Sequence, residues 1–196
     1  MASSDVEVYR ALNDALSSLG VSWYVFGAQA AILHGATRFT EDLDVTVLLG
    51  VREPRTLANA LGQHGFTLRV KDVDAFVETT RVLPVVHAST RIPVDIVLGG
   101  PGLEELFAQR ARPMDVGGVS VPVASAEDLI VMKVLAGRPK DIEDVVAVLT
   151  AQGARLDLVQ VRETIAVVEQ ALDQSDLSPL FEQCASRAQD VHRSGG

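Results

Sequence analysis

Short β-branched runs that end on glycine alternate with stretches of helical periodicity over residues 1–124, and after Ser125 the strand signals stop. This change of character restricts the chain to an α+β arrangement: a mixed β-sheet core with flanking helices, then a C-terminal helical bundle. Ser4 and Glu7 have capping-box spacing, and Tyr9, Leu12, Leu16 and Leu19 follow at helical intervals up to Gly20, predicting a first helix capped at Ser4. VSWYVF is a strand running into Gly27, AQAAILH a helix, LDVTVLL a strand, REPRTLANALGQHG a helix and FTLRV a strand. RVLPVVHA and TRIPVDIVL read as two strands joined by a hairpin turn, and MDVGGVSVPV as a small hairpin or edge strand in which Pro122 suits an edge or a strand end.

From Ser125 onward the signals are helical. Ser125 and Asp128 can cap SAEDLIVMKVLAG, Gly137 ends it, and Pro139 opens the next helix, whose stripe is Ile142, Val145, Val146 and Leu149. Two more helices are expected around 159–172 and 176–190, and the terminal SGG is expected to fray. Residues 1–124 are therefore read as the α/β core, and 125–196 as a helical region packed on it.

Composition narrows the function. At 196 residues and 47% hydrophobic, the chain has material for one ordinary domain with a helical annex, and general disorder is excluded. Its mean hydropathy is +0.22. No apolar run reaches the roughly 20 residues of a membrane span, and MASSDVEVYR is no signal peptide, so a cytoplasmic protein is expected. The single Cys184 excludes a disulfide framework and reads as buried or silent. A net charge of -9 argues against an extended duplex nucleic-acid surface, which needs many Lys and Arg to release counterions.

Against this background the acids stand out. Asp42 and Asp44 open an apolar strand and share one face, with Cα atoms about 7 Å apart. Two carboxylates about 4 Å apart repel by roughly 4 kcal/mol at an effective dielectric of 20, and a divalent cation relieves that repulsion. The alternative is a solvated strand mouth. Asp95 lies inside IPVDIVL, where a buried carboxylate needs a partner: Arg91, or the same cation if its strand neighbours that of Asp42. Three such acids could hold two ions for in-line phosphoryl transfer. Gly27 sits at a strand-to-helix corner, where backbone N–H groups favour a phosphate. Neither a Rossmann nor a P-loop glycine pattern occurs, and His34, His64, His87 and His192 lack metal-ligand spacing.

The ordered set FGAQAAILHG, RFTEDLDV, VDIV, EDLIVMK and GRPKDIEDV resembles the nucleotidyltransferase superfamily, most closely its AbiEii-type toxin branch, over about Val21 to Leu149. The resemblance implies a nucleotidyltransferase core and phosphates held at Gly27 and Ala28. It implies Mg²⁺, as two ions, on Asp42, Asp44 and Asp95, with Asp95 also helping to deprotonate the acceptor. Arg38 and Thr40 become triphosphate-side contacts, Lys133 neutralises the triphosphate, and Asp141 is the late acid of the active site. The implied reaction moves a nucleoside monophosphate from an NTP to a hydroxyl of RNA, tRNA or a protein, in a toxin held in check by a cognate antitoxin. Ala28 departs from the superfamily's frequent Gly-Ser or Gly-Gly turn and offers no hydroxyl.

The residues leave other readings open. Lys133 fits either the site or a side chain snorkelling to solvent from an apolar helix. Lys140 and Asp144 have the spacing of an exposed helical pair, and Arg138 that of a surface charge. An aminoglycoside-type adenylyltransferase, or a non-catalytic nucleotide- or partner-binding module, would carry many of the same residues.

Overall fold

The computed structural model describes residues 3–194. In chain order the elements are α1 (Ser3–Leu19), β1 (Ser22–Phe26), α2 (Gly27–Leu33), β2 (Leu43–Leu48), α3 (Pro54–Gln63), β3 (Phe66–Leu68), α4 (Val73–Thr80), β4 (Val82–His87), β5 (Pro93–Leu98), α5 (Leu103–Arg110), β6 (Arg112–Val116) and β7 (Val119–Val123). Helices α6 (Ala126–Ala136), α7 (Pro139–Gln152), α8 (Leu158–Leu172) and α9 (Leu177–Ser194) follow. The chain divides into two compact units, Met1–Gln29 with Thr40–Ala124, and Ala30–Phe39 with Ser125–Gly196.

The first unit is a seven-stranded mixed sheet of order β3-β4-β5-β2-β1-β7-β6. The β2–β5 and β1–β7 pairs are parallel, and the others are antiparallel. Alternation along the strands sorts the two faces. Val45, Val47, Leu83, Val85, Val94 and Ile96 form a buried face, while Asp44, Val86, Asp95 and Val97 lie on the other, half-buried one. Leu12 and Leu16 of α1 are fully buried, a burial of about 2 kcal/mol each. The Gly117–Gly118 turn, with φ of 60° and 85°, has the left-handed backbone that a two-residue hairpin requires, and it places β6 at the sheet edge.

Three local expectations change. Ser4 lies inside α1, which already includes Ser3, so it is not the cap. FTLRV yields only the three residues of β3, because the ladder partner after Leu68 is Pro84: its carbonyl accepts from Arg69 N at 3.0 Å, but it has no N–H to return. Helices α4 and α5 were not expected. Each has eight residues and one buried side chain, Val77 and Phe107 respectively, too little apolar periodicity to read.

In the second unit, Ser125 Oγ accepts from Asp128 N at 3.1 Å to cap α6, Gly137 closes it in the left-handed region, and Pro139 opens α7. Gln152 at the end of α7 donates to the His34 carbonyl at 2.7 Å, which ties the Ala30–Phe39 segment to this unit. Phe181 and Cys184 of α9 are buried, and burial pushes the thiol pKa up. The glycines of the terminal SGG and the side chain of His192 lie outside the described residues. Among those described, no helix is long and apolar enough to cross a membrane.

Candidate active site

In the first unit, one register row of the sheet collects the chemistry. Phe26 of β1 faces Asp44 of β2, Asp44 faces Asp95 of β5, Asp95 faces Pro84 of β4, and Arg69 follows β3 opposite Pro84. Residues in register share a face, so Asp44 and Asp95 stand side by side on strands about 4.8 Å apart. Gly27 adjoins Phe26 at the other end of the row. Its φ is +66°, and a Cβ there would lie 2.8 Å from Asp44 Cγ, so only glycine lets this carboxylate lie against the corner. Ala28 is buried and contributes backbone alone.

Asp95 is not the buried carboxylate expected from its strand. Its side chain is 40% exposed, and its ion-pair partner is Arg69, not Arg91. Arg91 is exposed in the β4–β5 turn with φ 63°. Asp42 is exposed just before β2, where its carboxylate accepts from Thr40 Oγ1.

Among the described residues, no group of three or more His, Cys, Asp or Glu side chains gathers as a metal cage. The sheet does supply two adjacent carboxylates. That donor set fits Mg²⁺, which is usually held by one or two carboxylates together with substrate phosphates.

The second unit contains a buried ion network. Lys133 Nζ donates to Asp141 Oδ1 at 2.9 Å and to Asp144 Oδ2 at 2.6 Å. Arg138 also engages Asp141, and Arg38 donates to Asp144 Oδ2 at 2.6 Å across 106 residues of chain. Lys133, Asp141 and Asp144 are 6%, 1% and 4% exposed, so Lys133 does not snorkel and Asp144 turns inward, away from the exposed Lys140. The outer ends of the network are the guanidinium groups of Arg38 and Arg138, whose side chains are 27% and 62% exposed. A lysine inside LIVMKVLAG and two acids on the next helix were the signal for this network; their pairing depends on how α6 and α7 fold back on each other.

Burial pushes the Asp141 pKa up, but hydrogen bonds from Arg138 and Lys133 outweigh it and hold the carboxyl below the usual carboxylate range. A lowered folded-state pKa stabilises at pH above the unfolded value, about 3.9, and that contribution fades as pH falls through the folded value. Acid titration of unfolding, followed by circular dichroism, is therefore expected to show a loss of stability below about pH 4 that is smaller in Asp141→Asn.

The chain carries a nucleotidyltransferase domain. The family model for nucleotidyltransferases of unknown function (DUF6036) matches residues 58–187, more than half of the chain, and the protein belongs to that family. No curated protein matches the chain. Among solved structures, the solution structure of the antibiotic-resistance factor ANT(2'')-Ia is similar, with a TM-score of 0.60 and 17% identity over 88% of this chain and 95% of that one. The crystal structure of ANT(2'')-Ia in complex with adenylyl-2''-tobramycin gives 0.58 and 17% over 82% and 97%. At such identity the likeness is one of fold.

Proposed function

We propose that the protein moves a nucleoside monophosphate from an NTP to an acceptor hydroxyl and releases pyrophosphate. The observation that carries this reading is the in-register pair Asp44 and Asp95, with Asp44 set against the Gly27 corner. Asp44 and Asp95 would hold Mg²⁺, with Asp42 beside them at the mouth of β2. The ion would offset triphosphate charge and lower the pKa of the acceptor hydroxyl. Asp95 takes the hydroxyl proton, the oxygen bonds to the α-phosphorus, and the bond to the bridging oxygen of pyrophosphate breaks. The Gly27–Ala28 backbone is assigned to the nucleotide phosphates, and Arg38 and Thr40 to the triphosphate, by the motif resemblance. Lys133, with its ammonium shared between two carboxylates, positions Asp144 and through it Arg38.

For the acceptor, the AbiEii resemblance favours RNA, tRNA or protein and a cognate antitoxin as partner. A compact cationic acceptor is the second reading. It is favoured by the net charge of -9 and by a fold shared with ANT(2'')-Ia, which was solved with adenylyl-2''-tobramycin. The test offers each labelled NTP with Mg²⁺ to cell RNA, to protein and to aminoglycosides. Wild type is expected to label one acceptor class, and Asp44→Asn to lower the rate by at least about 100-fold. Equal labelling by the two proteins contradicts the reading. Label in the aminoglycoside arm alone overturns the toxin branch.

A further inference from the structure

We propose that Arg69 is a resident counter-ion which competes with the divalent cation for Asp95, so that opening the Arg69–Asp95 pair sets metal occupancy of the site. The inference rests on the metal reading above.

Its basis is the register row. Arg69 lies two strands from Asp95, and the residue between them is Pro84, a short ring with no polar side-chain atom. A long guanidinium side chain passes over that ring and pairs with Asp95. The same proline ends β3 at Leu68, which leaves Arg69 one backbone bond, from its N–H to the Pro84 carbonyl, just beyond the ladder. Arg69 and Asp95 are 37% and 40% exposed, so water can take over both charges when the pair opens. Asp44 differs, because it lies against the Gly27 backbone in space that a Cβ would fill. Of the two adjacent carboxylates, one lies against the corner and the other pairs with a half-exposed cation of the protein's own. A divalent ion that uses both competes with Arg69 for the charge of Asp95, whose Oδ1 the guanidinium engages.

Titration with Mn²⁺, read by loss of the free-ion electron paramagnetic resonance signal at low ionic strength, tests this without turnover. Arg69→Gln is expected to bind Mn²⁺ about threefold to fivefold more tightly than wild type, and Arg69→Lys to stay close to wild type. The gain should vanish in an Asp95→Asn background, since the competition acts through that carboxylate. Arg55→Gln, which removes an equal charge from the exposed Arg55–Asp74 pair, serves as a control for the general field. An unchanged or weaker affinity in Arg69→Gln overturns the proposal, as does an equal gain in the Asp95→Asn background or in Arg55→Gln. If wild type binds Mn²⁺, Asp44→Asn abolishes binding and Arg69→Gln changes nothing, the competition fails while the proposed function stands. No Mn²⁺ binding by wild type or Arg69→Gln overturns both.

Discussion

Lys133→Met is expected to lower the free energy of unfolding by about 3–5 kcal/mol, the cost of removing one partner from a buried ion pair. The methionine fits the apolar stem. It leaves Asp141 and Asp144, both nearly inaccessible to water, with only the guanidinium groups of Arg138 and Arg38 for compensation. Urea denaturation gives the number. A change under about 1 kcal/mol would mean that the network contributes no more than an exposed pair does. The triple variant Lys133→Met, Asp141→Leu, Asp144→Leu is expected to recover much of the loss, because a buried ion cluster replaced by apolar groups of similar size is often neutral or stabilising. Its nucleotidyl transfer should not recover with it, since Arg38 then has no carboxylate to hold it. Stability and activity that return together would make the network purely structural.

The second large effect is expected at the corner. Gly27→Ala forces an L-residue into the left-handed region, which costs about 1–2 kcal/mol, and drives a methyl group into the Asp44 carboxylate. Asp44 must move, and with it the pair formed with Asp95. A displacement of about 1 Å in such a constellation can cost about 100-fold in rate, so transfer should fall at least that far while the sheet survives. Comparison with Gly20→Ala separates the two causes, because Gly20 also has positive φ, 61°, but open space around its Cβ position. If both variants lose activity equally, backbone strain and not the Asp44 clash is responsible.

Much of this could be read from the chain because the signals are local. Short β-branched runs marked the strands, glycine and proline marked the corners, and Asp44 and Asp95 stood out as acids at the mouth of one apolar strand and inside another. What escaped depends on register or on distant pairing. Asp95 meets Arg69 only because three strands align at Pro84, a relation with no fixed spacing in sequence. Arg38 meets Asp144 across 106 residues, and Lys133 looked equally suited to solvent until α6 and α7 placed two carboxylates around it. Helices α4 and α5 bury too little to impose a period. Asp44 and Asp95 share the sheet face in the first unit, Asp42 stands exposed beside β2, and Arg38, Lys133 and Asp141 belong to the second.

The polypeptide leaves the first unit after Gln29, spends ten residues in the second, and returns at Thr40. No single cut can therefore yield two self-contained fragments. A truncation after Ala124 would retain the stretch that carries His34 and Arg38 but delete Gln152 and Asp144, the groups those residues hold. Because the path is interlaced, the helical half cannot be exchanged as a cassette through a single junction in the chain.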